Sequence, residues 1–105
     1  MQRISISEKF ADAPGGRLRT DGDKSGEEFR EDFLIPALNK LKKNEKLLVD
    51  LDGCYGFPPS FLEEIFGGLV RQFGIEKVRN YIDIKSEEEP LLLNEIDEYI
   101  SDAVS

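Results

Sequence analysis

The sequence predicts an α/β fold in which a mixed, mostly parallel sheet of about four strands is covered by three helices. Short apolar runs alternate with longer amphipathic segments, as in parallel sheets built from crossover connections. The run Leu47-Leu48-Val49, followed by Leu51, is apolar on both faces, which is typical of a central strand. Each predicted helix begins at a serine with a glutamate three positions later, the pattern of a capping box. The expected order is β-β-α-β-α-β-α.

The first two β elements are predicted before the first helix. Residues 2–7 end in alternating isoleucine and serine and therefore predict an edge strand. In the otherwise parallel sheet, this N-terminal edge is the place where an antiparallel strand pair is allowed. Residues 10–24 are rich in Gly, Asp and Pro, and irregular segments of this length are often functional. A short strand over residues 16–20, paired back on the first, would shorten this loop.

Two helices are predicted from their capping boxes and apolar spacing. The first begins at Ser25–Glu28 and continues at helical spacing to Leu41. Pro36 lies inside it and removes one backbone hydrogen bond, so we expect a kink there. The second begins with Ser60 as its N-cap, whose hydroxyl is expected to accept a hydrogen bond from the Glu63 amide.

The remainder of the chain predicts one more strand and one more helix. Gly67-Gly68, in the middle of the second helix, lower helix propensity and predict a close approach to a neighbouring element. Residues 78–85 alternate in polarity and predict a strand. The last helix is expected to begin at Ser86–Glu89, with Pro90 in its first turn. Its predicted buried face contains Leu92, Leu93, Ile96, Tyr99, Ile100 and Ala103.

The composition predicts one domain over residues 1–105 and excludes several classes of site. With no histidine and only Cys54, the chain offers no zinc site, no histidine-based catalysis and no internal disulfide. The net charge of −8 argues against nucleic-acid and anionic-membrane partners. No N-terminal stretch is apolar enough for a signal peptide or membrane span, so we expect a cytoplasmic protein. We also expect no cofactor. Lys40, Lys42 and Lys43 are interpreted as complementing the dipole of the first helix.

The segment Leu48-Val-Asp-Leu-Asp52-Gly is similar to the nucleophile motif of the haloacid-dehalogenase phosphatases, in which an Asp-x-Asp pair holds Mg²⁺. Asp50 and Asp52 lie on one side of the strand, and a hard cation requires such carboxylates. Against this, Cys54 replaces the usual threonine, no later Asp-Asp pair follows, and the remaining chain is short for that fold. A Mg²⁺-dependent phosphatase is therefore the third hypothesis. We otherwise expect one aspartate to bond loop amides and the other to be solvated.

A second resemblance covers nearly the whole chain. A strand ending in Asp-Leu-Asp-Gly, a short loop and a Ser60-Phe-Leu helix start resemble the STAS domain of the bacterial anti-sigma-factor antagonists. Further motifs resemble a prokaryotic STAS-like family of unknown function: Pro14-Gly-Gly-Arg17, Ser25-Gly-Glu-x-Phe29-Arg30, Leu34-x-Pro36-x-Leu38 and Ser60-Phe-Leu-Glu-Glu-x-Phe-Gly-Gly-Leu-Val-Arg71. The resemblance implies a STAS-like fold and a non-enzymatic, regulatory role in signalling.

The resemblance also implies a modification site and a partner. In the antagonists, the serine or threonine at this helix start is phosphorylated, so Ser60 is the candidate phospho-acceptor, with a plain N-cap as the alternative. Here Pro59 and Phe61 flank it, where the antagonists have a small polar residue and a glycine. The implied partner is another protein, of the class of the GHKL-type ATPases and kinases.

The alternative hypothesis is a small-molecule or nucleotide sensor. The helix start would offer amides and the positive end of its dipole to an anion, and Arg17 would add a hydrogen bond if its loop folds over the site. Tyr55 and Phe57 are either partner anchors or core side chains. The candidate binding residues are Gly15, Gly16, Arg17, Asp52, Gly53, Tyr55, Phe57, Glu63 and Glu64.

Overall fold

A parallel three-stranded sheet lies at the centre of the fold in the computed structural model, which describes residues 2–104. Its strands are β1 (Gln2–Ser5), β2 (Leu47–Asp50) and β3 (Ile82–Lys85), in the order β1-β2-β3. The α/β class is confirmed, and β2 lies in the middle because its apolar side chains are covered on both faces. Both strand pairs are parallel, so the allowance for an antiparallel edge at β1 is wrong.

The helices of the described chain are more numerous than the three predicted. Three of them are continuous α-helices: α1 (Ile6–Lys9), α4 (Ile75–Tyr81) and α5 (Leu91–Asp102). The two that pack against each other each contain a π-helical turn. They are α2 (Gly26–Phe29, π-helical Arg30–Leu34 and Ile35–Asn39) and α3 (Pro59–Leu62, π-helical Glu63–Gly67 and Gly68–Phe73).

The fourth predicted strand is absent. Residues 16–20, all of which the structure describes, form no strand, and the last two of them begin a 3-10 turn, Arg19–Asp21. The backbone of this loop instead supports the start of α2, because the Gly16 carbonyl accepts a hydrogen bond from the Gly26 amide at 2.9 Å. The loop is therefore tied to a helix end and not to the sheet edge.

Two strands are shorter than predicted because helices form beside them. β1 stops at Ser5, whose hydroxyl accepts a hydrogen bond from the Glu8 amide at 3.2 Å and caps α1. Residues 78–81 belong to α4, with Val78 buried on that helix. Residues four apart share one side of a helix as well as one side of a strand, so the spacing of Val78 and Ile82 does not separate the two structures.

The start of α2 agrees with the sequence only in part. Ser25 is the N-cap, and its hydroxyl accepts a hydrogen bond from the Glu28 amide at 3.1 Å. The Glu28 carboxylate accepts from the Lys24 amide at 3.3 Å, one residue earlier than a capping box requires. Near Pro36, where we expected a kink, the structure has a π-helical turn, Arg30–Leu34, which ends two residues before the proline.

The start of α5 differs from the prediction. The helix begins at Leu91, and the Ser86 hydroxyl donates to the Glu89 carbonyl at 2.7 Å without capping it. Ile96 and Ile100 are buried as predicted, whereas Leu93 is 40% exposed. The shifted start shortens the helix, and in its first turn Leu92 packs against the core while Leu91 and Leu93 are exposed.

Helix α3 contributes much of the core, and it begins shortly after the carboxyl end of β2. Its buried side chains are Phe61, Leu62, Ile65, Phe66, Leu69 and Val70. Neighbouring phenylalanine rings, with centroids 5.2 to 6.3 Å apart, join it to α2 and to the segment after α1: Phe10, Phe29, Phe33 and Phe61. Within residues 2–104, no helix has the length and apolarity needed to cross a bilayer.

Candidate functional site

A buried carboxylate, Asp50, pairs with a half-exposed arginine at the carboxyl end of β2. Asp50 is 2% exposed and accepts hydrogen bonds from Nε and Nη2 of Arg3 on β1, at 3.0 and 2.7 Å. Its other oxygen accepts from the Asp52 amide at 2.9 Å. Burial by itself raises the pKa of Asp50, but the hydrogen bonds from Asp52 and Arg3 outweigh it and hold that pKa below its ordinary value. Asp50 is therefore an ionised link between the first two strands.

The turn after β2 is held by the segment that follows β3. The Asp52 carboxylate accepts hydrogen bonds from the amides of Glu87 and Glu88 at 3.2 and 3.0 Å. In return, the Glu88 carboxylate accepts from the Gly53 amide at 2.7 Å. Gly53 has φ +95°, and a β-carbon there would lie 2.6 Å from the Ser7 hydroxyl oxygen. Only glycine fits this conformation and this space.

These contacts give the phosphatase hypothesis no support. Both aspartates accept hydrogen bonds from the chain, and the Lys85 ammonium lies 3.8 Å from Asp50 and 3.7 Å from Asp52. Across residues 2–104, no three acidic or cysteine side chains converge as metal ligands do. Asp52 bonds loop amides, as we expected of one aspartate, but the expectation that the other is solvated is wrong, because Asp50 is buried against Arg3.

The loop between β2 and α3 presents one aromatic side chain to solvent and buries most of another. Tyr55 is 90% exposed, the highest value among the large hydrophobic side chains of the described residues. Its backbone is fixed nonetheless, since its amide donates to the Asp12 carbonyl at 2.8 Å. Phe57 packs against Phe61, with ring centroids 6.0 Å apart. Phe57 therefore belongs to the edge of the core, whereas the Tyr55 side chain is exposed to solvent.

The predicted capping box at Ser60 does not form. Helix α3 begins at Pro59 with Pro58 as its N-cap residue, so Ser60 is the second helical residue and is half-buried. A proline suits the first helical position because its φ is already helical and it has no amide to satisfy. The Phe61 amide donates to the Pro58 carbonyl at 3.0 Å. Pro59 has no amide hydrogen, and the Phe61 amide is already bonded within the chain. The helix start therefore offers an anion fewer free amides than the sensor hypothesis assumed.

Glu63, which does not cap the helix, lies between two arginines. Arg17 Nη1 donates to it in a short contact, and Arg71 donates to both of its oxygens at 2.7 and 3.1 Å. The hydrogen bonds from Arg71 lower the pKa of Glu63; burial opposes them, and the bond from Arg17 adds to the lowering. The Arg17 loop thus folds over α3, but its guanidinium is already paired.

The neighbouring carboxylate, Glu64, forms a more deeply buried pair. Arg30 Nη2 on α2 donates to it at 2.7 Å, and the two side chains are 12% and 11% exposed. Arg17 Nη1 lies 3.4 Å from its other oxygen. Arg30 Nε is buried without a partner and lies over Gly68, where a β-carbon would be 2.7 Å from it. The close approach predicted at the glycine pair is therefore made by an arginine side chain.

Gly15 and Gly16 shape the loop that carries Arg17. The Gly15 amide donates to the Lys24 carbonyl at 2.8 Å, and a β-carbon on Gly15 would lie 2.5 Å from the Asp23 carbonyl oxygen. With its Gly15 amide used internally, this turn is less suited to hold an anion than the sequence suggested. Its observed contacts position the Arg17 side chain over α3.

Three arginines of this arrangement were missed by sequence reasoning: Arg3, Arg30 and Arg71. An arginine in an amphipathic segment usually faces solvent, so nothing in the local pattern singles them out. One signal was available, because Glu64 is three residues after Phe61 and so lies on the apolar face of α3. A carboxylate on a buried face requires a cationic partner, which here is Arg30.

Comparison with known proteins identifies one match. A family model described as "STAS-like domain of unknown function (DUF4325)" matches residues 25–92, well over half of the chain. The matched range runs from the N-cap of α2 to the first turn of α5 and includes Ser60, Glu63 and Glu64. The STAS-like resemblance found in the sequence is thereby confirmed. Neither the curated proteins nor the solved structures contain a match.

Proposed function

Because the chain belongs to the family of STAS-like domains of unknown function, we propose that it is a non-enzymatic regulatory module that docks another protein. The docking surface consists of the loop Gly53–Phe57 and the first turn of α3. The proposal rests on Tyr55. This residue is 90% exposed, although the backbone of its loop is fixed by hydrogen bonds. Exposed aromatics of this kind are enriched at protein interfaces.

The loop is suited to docking because it is ordered before the partner arrives. The Tyr55 amide is bonded to Asp12, the Gly53 amide to Glu88, and Phe57 is anchored against Phe61. Binding would therefore order little beyond the tyrosine side chain itself, which has only two rotatable bonds between backbone and ring. A rigid anchor of this type concentrates binding energy in one residue.

The charge around Tyr55 indicates the chemistry of the partner. Asp12, Asp52 and Glu88 lie beside this loop. Burial raises the pKa of the Cys54 thiol, and the negative charges of Asp12 and Glu88 raise it further. We expect a complementary partner surface with an apolar pocket for the tyrosine and basic groups around it. The STAS resemblance favours a GHKL-type ATPase or kinase as the class of protein.

Phosphorylation of Ser60 would give this surface a switch. A phosphate on Ser60 would lie near the positive end of the α3 dipole and one helical turn from Glu63. It would compete with Glu63 for Arg17, whose loop packs over the same helix. We expect the added charge to reduce docking.

The experiment is intact-mass analysis of the protein purified from its native host, with identification of co-purifying proteins. A phosphate mapped to Ser60 together with a co-purifying ATPase is the expected result. The isolated partner is then titrated with the Ser60→Asp and Ser60→Ala variants. Ser101→Asp, at an exposed position of α5, serves as the charge control. We expect Ser60→Asp alone to weaken binding. Equal affinities for both Ser60 variants and the wild type would contradict the switch.

A further inference from the structure

A lysine-lined hollow lies at the opposite edge of the sheet. The segment Lys42–Lys46 leads into β2, and Tyr81 immediately precedes β3, so both lie at the amino-terminal edge of these parallel strands. Strands of four residues separate this edge from the docking surface by about 13 Å. The hollow measures about 490 Å³, with Leu38, Leu41 and the half-exposed Tyr81 as its apolar wall, and Lys42, Lys43 and Lys77 supplying its charge.

These lysines differ from the arginines of the chain in having no ion-pair partner. All six arginines form ion pairs within the described residues. Lys42, Lys43 and Lys77 form none there, and no carboxylate lines the hollow. Glu45, in the same segment, accepts a hydrogen bond from the Lys42 amide at 2.8 Å. An incoming anion would therefore not have to displace an internal carboxylate, as it would at Arg17.

The helix dipoles do not account for this much positive charge. The carboxyl ends of α2 and α4 each present the equivalent of about half a negative charge at this edge. Their sum is about one charge, whereas five lysines lie within a few residues of these two helix ends: Lys40, Lys42, Lys43, Lys46 and Lys77. In a chain of net charge −8, this edge is a local excess of positive charge that attracts anions.

We propose that the hollow binds a small phosphorylated molecule with an aromatic portion, of the chemical class of the mononucleotides. The ammonium groups of Lys42 and Lys43 would contact the phosphate oxygens as mobile point charges. The Lys77 ammonium, which lies 4.8 Å from the centre of the Phe73 ring, would leave that ring to join them. The aromatic portion would pack on Tyr81 and on the leucine side chains, and the volume lies in the range of small-molecule sites. The site is separate from the docking surface and does not depend on it.

The test is an NMR titration of the ¹⁵N-labelled chain with ADP, adenosine and inorganic pyrophosphate in parallel. We expect ADP to shift the amide resonances of Lys42–Asn44 and Tyr81 in a saturable way and to bind at least tenfold more tightly than either fragment. Absence of saturable shifts with ADP would overturn the proposal. So would pyrophosphate binding as tightly as ADP, because the apolar wall would then contribute nothing.

A pair of charge-matched variants separates a site from general electrostatic attraction. Lys42→Gln/Lys43→Gln removes two charges from the hollow, and Lys9→Gln/Lys24→Gln removes two exposed lysines elsewhere. We expect the first variant to lose at least tenfold in ADP affinity and the second to change less than twofold. Equal losses in both would show that net charge alone attracts the nucleotide and would overturn the site.

Discussion

Arg30 and Glu64 form a nearly buried ion pair of 2.7 Å that joins the π-helical turn of α2 to that of α3. Glu64 lies four residues after Ser60, which belongs to the proposed docking surface, and directly after Glu63. Because Arg17 contacts both Glu63 and Glu64, the loop over α3, the docking surface and the helix interface share one network. Changes in this network should therefore affect the stability of the fold and the position of the Arg17 loop together.

The first prediction concerns this pair. Arg30→Met leaves the Glu64 carboxylate buried with only the longer contact to Arg17, and should lower the free energy of unfolding by about 3 kcal/mol. The double variant Arg30→Met/Glu64→Leu should recover most of this loss, because two apolar side chains replace the pair. Urea denaturation measures all three proteins. Arg79→Met breaks the exposed pair with Asp97 and should cost less than about 1 kcal/mol. A cost as small for Arg30→Met would contradict the prediction.

The second prediction tests the close approach at Gly68. A β-carbon there would lie 2.7 Å from Arg30 Nε, so Gly68→Ala must displace a guanidinium that is held by Glu64. We expect a loss of about 1–3 kcal/mol of stability despite the better helix propensity of alanine. Gly56→Ala is the control, since no atom lies within 4 Å of its added carbon. Thermal denaturation of both variants provides the comparison, and a stabilised Gly68→Ala would show that Arg30 moves freely.

The third prediction is acid destabilisation through Asp50. Its pKa in the folded protein is below the ordinary value of 3.8, so the unfolded state binds the proton more readily. The stabilisation is fully present above pH of about 4 and is lost as the pH falls through the folded pKa. The free energy of unfolding, measured by urea between pH 2 and 6, should therefore fall more steeply for the wild type than for Asp50→Asn. Asp102→Asn, at an exposed position, controls for net charge. Parallel curves for the wild type and Asp50→Asn would refute this role.

The fourth prediction separates docking from folding at Tyr55. Tyr55→Ala should change the free energy of unfolding by less than about 0.5 kcal/mol, because the side chain is 90% exposed. It should weaken binding of the isolated partner by about 30-fold or more, the loss typical of an interface anchor. Leu91→Ala, at a side chain that is 74% exposed on α5, serves as the control in the same titration calorimetry. An unchanged affinity of Tyr55→Ala would remove this residue from the interface.

The fifth prediction concerns the single thiol. Burial, reinforced by the negative charges of Asp12, Glu88 and Asp50, raises the pKa of Cys54 to about 11. At pH 8 the thiolate fraction is therefore small, and alkylation by iodoacetamide should be on the order of 100-fold slower than in the urea-unfolded chain. The rate in the folded protein should rise tenfold per pH unit up to pH 10. A plateau below pH 9 would show that the thiol is not perturbed in this way.

Much of the fold could be predicted from local sequence. The central strand, the apolar face of α3 and the N-cap at Ser25 were all predicted correctly, because burial on two faces, helical spacing and a capping hydroxyl each act over a few residues. Membership of the STAS-like family also followed from sequence motifs. These features depend on neighbours along the chain, which a sequence displays directly.

The remaining features depend on competition between partners that are distant in sequence. Ser60 has the pattern of a cap, but α3 starts two residues earlier, with Pro58 as its N-cap, and Glu63 pairs with Arg17 and Arg71 across the fold. The sequence alone therefore determined the class of fold, and its prediction of where the functional site lies stays a prediction. Only the tertiary structure decided which carboxylate pairs with which arginine and that Tyr55 is exposed. Such pairings depend on geometry and burial that arise only when the elements are packed together.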